Sequence, residues 1–394
     1  MSTLGRVVDA LRRAAAAGDR VVLATVVRVI GSSYGGVGAR MVVHADGTIV
    51  GLVSGGCLES DLVEHARAVH ADGRARTVGY DTRADDDAVW GLGLGCNGEI
   101  EVLLEPLSAA EADGLGDLLA GALAGESPTV LATVVRVDDG AAGAPAVGAH
   151  ALLGPGGVVR TTGAWGDDGA LAAIAADRGA ALDAGRRGLV RRHEGATVAF
   201  ETIVPTVRLV VCGSGPDVLP VVRLAAELGW ATTVVDHRPA AHGHAERFPG
   251  ARVVACPEPR ALGAAVALDP RTAAVVMSHH FGRDGGYLEA LLAAGVSYVG
   301  VLGPRARTER LLAELAAQGV APTPGARLYA PIGLDLGGDG PAAIALAVVA
   351  EVAAVVHGRG GGHLRDRGGA LHEGAPGEPS ASAERGRAGG RTGR

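Results

Sequence analysis

Lysine is absent from this chain of 394 residues, so arginine alone carries the strong cationic charge. The formal net charge is −7 and no basic stripe gathers in the body of the sequence, which argues against a nucleic-acid-coating protein. Aromatic residues make up only 3%, and the cores must therefore be built from Val, Leu and Ala. Four cysteines, at positions 57, 96, 212 and 256, form no Cys-x-x-Cys pair. That excludes the common zinc patterns and a disulfide framework, and fits a reducing cytoplasm. Long apolar runs are missing as well. The longest, Ile344 to Val356, is too short for a membrane span and contains Glu351. The N-terminus reads straight into an amphipathic helix, without the apolar core of a signal peptide. A cytoplasmic protein with no membrane span is expected.

Against this background Cys57 stands out. It lies in Ser54-Gly55-Gly56-Cys57, where an apolar strand turns through two glycines toward a helix. A thiol at a helix N-terminus meets unpaired backbone N–H groups that favour the thiolate. Cys96, in Gly95-Cys96-Asn97-Gly98, sits in a second Gly-rich frame and could serve as its partner. Taken singly, each cysteine equally suits a small residue filling a tight turn.

The N-terminal part contains a duplication. Residues 22–29 and 130–137 both read Val-Leu-Ala-Thr-Val-Val-Arg-Val, each after a helix and a short Gly-containing turn. Two related α/β halves, 1–107 and 108–205, are expected to pack as one unit. The halves differ where chemistry could lie: the first has Ser54-Gly55-Gly56-Cys57, the second Thr162-Gly163-Ala164-Trp165. Arg40 in the first half corresponds to His150 in the second, and is either an anion contact near the cysteine or a surface charge.

From Arg208 onward short apolar runs alternate with helical stretches, as in a doubly wound parallel sheet. Gly213-x-Gly215 follows the first strand and Asp236 ends the second, the layout of a dinucleotide fingerprint. Val218 replaces its third glycine, which weakens the case for NAD. Ser278-His279-His280 follows a later strand, and Gly303-Pro304-Arg305 opens a helix able to meet an anionic group. A solvated loop and a capped surface helix are the plainer readings of these two. Asp85-Asp86-Asp87 reads as a solvated helix start. Past Gly358 the composition of glycine, arginine and small polar residues predicts a disordered tail, 358–394.

Taken in order, these segments resemble the XdhC/CoxI family of molybdenum-cofactor maturation proteins. The resemblance runs through Gly31-Ser32-Ser33, Gly38-Ala39-Arg40-Met41, Ser54-Gly55-Gly56-Cys57, Gly95-Cys96-Asn97-Gly98, Gly213-x-Gly215, Met277-Ser278-His279, Tyr298 to Gly303 and Pro331-Ile332-Gly333-Leu334-Asp335. It departs from the family pattern at Asn97. The resemblance implies an N-terminal domain bearing the cysteines, 1–205, and a Rossmann-like domain, 206–357. It implies a chaperone that binds the molybdenum cofactor (molybdopterin), protects it during sulfuration and inserts it into an apo molybdenum hydroxylase of the xanthine or carbon monoxide dehydrogenase type. A cysteine desulfurase and a second copy of the chain are further candidate partners.

On this reading Arg40, Ser54, Gly55, Gly56, Cys57, Cys96, Gly213, Gly215, Asp236, His279 and Arg305 contact the cofactor, with Cys57 and Cys96 as thiolates near molybdenum. The competing readings are an NAD(P)-dependent oxidoreductase using the Rossmann-like domain, and an assembly factor that bridges partners without cofactor.

Overall fold

The repeated octapeptide makes up most of two matching strands. The computed structural model describes residues 2–31, 33–81, 98–141, 143–166, 168–193, 195–238, 245–320 and 327–366. In the first half β1 (Val21–Gly31), β2 (Arg40–Val43), β3 (Ile49–Gly51), β4 (Arg76–Asp81) and β5 (Gly98–Leu107) form a sheet ordered β3-β2-β1-β5-β4. In the second, β6 (Thr129–Val137), β7 (His150–Gly154), β8 (Gly157–Thr162), β9 (Leu189–His193) and β10 (Ala196–Ile203) are ordered β8-β7-β6-β10-β9. Both sheets are antiparallel throughout and share one order.

Equivalence extends to the register. Thr25 lies opposite Arg40 and Thr133 opposite His150; Leu23 faces Glu105 and Leu131 faces Glu201. Each octapeptide also carries a β-bulge at the same letter, Val27 in β1 and Val135 in β6. An extra residue in one strand re-aims its side chain. Here both extra valines join Leu103 and Ala199 in one buried cluster shared by the two sheets.

Two helices pack on a second shared cluster, which takes in Leu23 and Val42 of one sheet and Leu131 and Leu152 of the other. Thr3–Ala17 is capped by the Ser2 hydroxyl at its start and by Gly18, in the left-handed region, at its end. It buries Val7, Val8, Leu11 and Ala14, a stripe at helical spacing. Ala109–Ala124 begins with a Ser108–Glu111 capping box and buries Leu115, Leu118 and Leu119 on the same cluster. Each fully buried Leu contributes about 1.5–3 kcal/mol.

The third sheet is parallel: β11 (Arg208–Cys212), β12 (Ala231–Asp236), β13 (Arg252–Ala255), β14 (Thr272–Val276), β15 (Tyr298–Val301) and β16 (Leu328–Tyr329), ordered β13-β12-β11-β14-β15-β16. This is the doubly wound order with its switch point between β11 and β14, where ligands enter such folds. Helices 218–227, 281–294, 305–317 and 340–356 accompany its strands, and a 3-10 turn, Pro259–Ala261, with one short helix, Leu262–Ala265, follows β13. Gly358 to Asp366, expected to be disordered, includes a short turn at Leu364–Asp366, and Gly361 lies against the Leu334 side chain. Residues 367–394 lie outside the described part. Among the described residues no helix is long and apolar enough to cross a membrane.

Candidate functional site

The segment between β3 and the helix Glu59–Asp72 is held by one carboxylate. Glu59, buried, accepts the Val53 N–H at 3.2 Å and the Ser54 N–H at 2.7 Å on Oε1, and the Ser54 hydroxyl at 2.5 Å on Oε2. Ser54 Oγ in turn accepts from the backbone N–H groups of Cys57, at 3.1 Å, and Leu58, at 3.0 Å. The hydroxyl is thereby fully used, and Ser54 anchors the loop instead of meeting a ligand. Cys57 lies two residues before the helix, with its own N–H donated to Ser54 Oγ. Its side chain is exposed.

Gly56 takes φ +101°, which few other residues tolerate, and the Cα faces open space. Tyr34, two-thirds exposed, packs its ring over Gly55. Gly35 touches the Val53 carbonyl so closely that no Cβ would fit. The sulfur thus stands on a pinned loop beside an exposed aromatic ring. No motif spacing singles out Tyr34, although it adjoins Gly31-Ser32-Ser33. Burial alone would raise the Glu59 pKa, but the hydrogen bonds from Ser54 and Val53 outweigh it and hold the carboxyl low. Its anchoring is present above the ordinary glutamate range and fades only as pH falls through the lowered value. Glu59→Ala should cost about 1–3 kcal/mol and raise the alkylation rate of Cys57, measured by thiol labelling. Cys96 and the acidic run at 85–87 lie outside the described residues.

Arg40 is not an anion contact. It is 2% exposed, and its guanidinium pairs with both carboxylate oxygens of Glu201, 161 residues away, with Nη1 at 3.0 Å from Oε2 and also donating to the Gly38 carbonyl. The reciprocal pair crosses the other way: His150 Nε2 stands 3.0 Å from Glu105 Oε1, both side chains buried. Each half therefore sends one basic residue to a carboxylate of the other.

At the carboxyl edge of the parallel sheet the expected dinucleotide contacts are engaged internally. Asp236, 2% exposed, accepts the Arg238 N–H and Nε on Oδ1 at 2.7 and 2.9 Å, and Ser214 Oγ and Arg238 Nη2 on Oδ2. Burial would raise its pKa, yet the hydrogen bonds from Arg238 and Ser214 hold it far below the usual carboxylate range. All four acceptor positions are used, leaving none for ribose hydroxyls.

Gly213 lies against Met277 and Ser278 across the switch point, where a Cβ would collide. The Asp217 carboxylate covers Gly215 and pairs with His279 Nε2 at 2.7 Å. Pro216 and Pro220 remove two amides from this loop and helix start. A diphosphate has little to bind there. His279 itself adopts φ +59°, unusual for a residue with a side chain, and is exposed.

His237 and His280 approach with ring centroids 6.1 Å apart, and Arg283 donates to the Pro257 carbonyl at 2.9 Å. Arg305 is exposed, whereas Arg307, two positions on, turns inward to Asp284 at 2.8 Å. Asp284 also accepts from Ser278. The edge therefore presents several histidines and arginines whose nearby carboxylates are already paired. Among the described residues no group of three or more His, Cys, Asp or Glu is arranged to hold a metal ion.

Two sequence profiles match the chain: "XdhC and CoxI family" over residues 14–81 and "XdhC Rossmann domain" over 209–352. A Bacillus subtilis (strain 168) protein, named as a probable xanthine dehydrogenase subunit, is 30% identical over 344 residues, covering 85% of this chain and 92% of that one. The molybdenum cofactor insertion chaperone PaoD of Escherichia coli (strain K12) is 25% identical over 340 residues, 86% of this chain and 84% of PaoD. A crystal structure described as a xanthine dehydrogenase from Bacillus halodurans matches with a TM-score of 0.69 at 30% identity, over 91% of this chain and 97% of that one. Two matched segments in the right order and a relative covered almost end to end lead to one conclusion: the chain belongs to the XdhC and CoxI family.

Proposed function

We propose that this protein is a molybdenum-cofactor chaperone: it binds the cofactor, shields it during sulfuration and inserts it into an apo molybdenum hydroxylase of the xanthine or carbon monoxide dehydrogenase type. The observation that carries this reading is the exposed Cys57 thiol on a loop fixed by Glu59 and Ser54. The names of its relatives, a probable xanthine dehydrogenase component and a molybdenum cofactor insertion chaperone, support the same role.

When bound, the cofactor supplies a soft, sulfur-rich metal centre and an anionic pterin phosphate. Cys57 contacts the centre, with Cys96 as a second thiol, and the pinned loop keeps the sulfur in place while the cargo comes and goes. Gly56 leaves the backbone open beside it, and the Tyr34 ring lies over Gly55. Arg305, exposed at the carboxyl edge of the parallel sheet, offers positive charge to a phosphate, with the His279 and His280 imidazoles on the same edge. The hydroxylase takes the cargo, and a cysteine desulfurase would act on it while it is held.

Purification from cells that make the cofactor should yield protein carrying molybdenum and pterin in roughly equal amounts, read by metal analysis and by fluorescence of the oxidised pterin. Protein free of both would overturn the role. The oxidoreductase reading is disfavoured by the saturated Asp236 and the covered Gly215. Titration with NADH or NADPH should accordingly show no saturable binding; saturation with hydride transfer to an acceptor would restore that reading.

A further inference from the structure

The two halves offer the same place twice and fill it differently. In one copy Glu201 faces the flat guanidinium of Arg40, which supplies an N–H to each carboxylate oxygen. What remains there is a crevice of about 10 Å³ between Val37, Gly38 and Glu201. Gly188 packs directly on the Val37 side chain.

In the other copy Glu105 faces His150. The imidazole Nε2 approaches Oε1 to 3.0 Å without a hydrogen bond to it, and the other nitrogen, Nδ1, lies 3.1 Å from Thr133 Oγ1. Among the described residues neither oxygen of the Glu105 carboxylate has a hydrogen-bond partner although both are buried. Beside it opens a cavity of about 500 Å³ lined by Glu105, His150, Gly148, Leu115 and Ala164, with Arg20 also in its wall. A buried carboxylate oxygen left unpaired is costly and calls for a partner. The volume is that of a small-molecule site.

The filled copy indicates which chemistry suits the open one. We propose that the cavity at Glu105 and His150 binds a planar ligand presenting two adjacent N–H donors, the amidine-like edge that pterins and guanine share as 2-amino-4-oxo heterocycles. Arg40 is the internal counterpart of that ligand edge in the closed copy. A carboxylate accepts such a planar donor pair in the two-point manner it accepts a guanidinium. Gly38 and Gly148, both with positive φ, let the two carboxylates pass beneath the chain, since a Cβ on Gly148 would come within 2.9 Å of Glu105 Oε1. Arg20, exposed, supplies a cation for an anionic substituent on the ligand.

The site stands on Glu105 and His150 and not on Cys57; within the chaperone reading it holds the pterin end of the cargo. The test titrates the full-length protein with a free 6-substituted pterin, with guanosine monophosphate and with inosine monophosphate, which lacks the 2-amino group. Saturable binding of the pterin or of guanosine monophosphate is expected, with inosine monophosphate at least tenfold weaker. The first result would identify a pterin site, the second a guanine-nucleotide site.

His150→Arg should abolish binding by rebuilding the closed arrangement of Arg40, and Glu105→Gln should weaken it at least tenfold, with far-UV circular dichroism confirming that both variants fold. No saturation with either ligand, equal binding of inosine monophosphate, or wild-type binding by folded His150→Arg would overturn the proposal. Because the probes carry no metal, the outcome is independent of whether the protein retains molybdenum.

Discussion

Replacing Arg40 by Ala lowers the unfolding midpoint of the N-terminal sheets by roughly 6–20 °C, the equivalent of about 3–5 kcal/mol. The reason is what remains behind. Glu201 would keep its charge in a site that is nearly closed to water, with neither oxygen paired by a guanidinium, and the Gly38 carbonyl would lose its donor. Removing one member of a buried ion pair costs far more than the pair contributes, because the survivor is desolvated and uncompensated. The companion variant Glu201→Ala with Arg40→Ala should recover a good part of the loss, since no orphaned charge remains. Differential scanning fluorimetry on the single and double variants separates the two cases. A surface arginine, the alternative open at the level of sequence, would shift the midpoint by no more than a degree or two.

Cys57→Ala reduces cofactor retention at least tenfold while leaving the unfolding midpoint unchanged. The side chain is exposed, so its loss opens no cavity in the core and breaks none of the Ser54 and Glu59 bonds that shape the loop. Stability and binding are thereby separated at one position. The readout is oxidised-pterin fluorescence per mole of purified protein, beside the wild type from the same cells. Retention equal to wild type would remove Cys57 from the cofactor contact and leave the loop a structural turn.

The parallel sheet was readable because each strand is a short apolar run closed by a turn, and because period and punctuation are local properties. The duplication was readable for the same reason, as eight identical letters at two places. Its consequence was not. That Arg40 and His150 occupy equivalent positions can be seen in the sequence, but that each reaches a carboxylate of the opposite half depends on how the sheets pack, across 161 residues in one case.

The Rossmann fingerprint located the fold but did not show which of its polar groups are free. Gly213, Gly215 and Asp236 are where a dinucleotide site would have them, yet Ser214, Arg238, Asp217 and His279 satisfy those groups from within the protein. Residue type and spacing do not reveal which acceptors are already taken. Arg305 and Arg307 illustrate the point within one helix: a turn of two positions sends one to solvent and the other to a buried aspartate.

Delivery tests the chaperone role most directly. Protein loaded with cofactor in cells would be mixed with an apo molybdenum hydroxylase of the xanthine dehydrogenase type, and hydroxylase activity followed against time. The prediction is that loaded wild-type protein restores activity in proportion to the molybdenum it carries, and that Cys57→Ala prepared in parallel restores less than a tenth as much. Loaded protein that transfers no molybdenum, leaving the hydroxylase as inactive as it was alone, would contradict it.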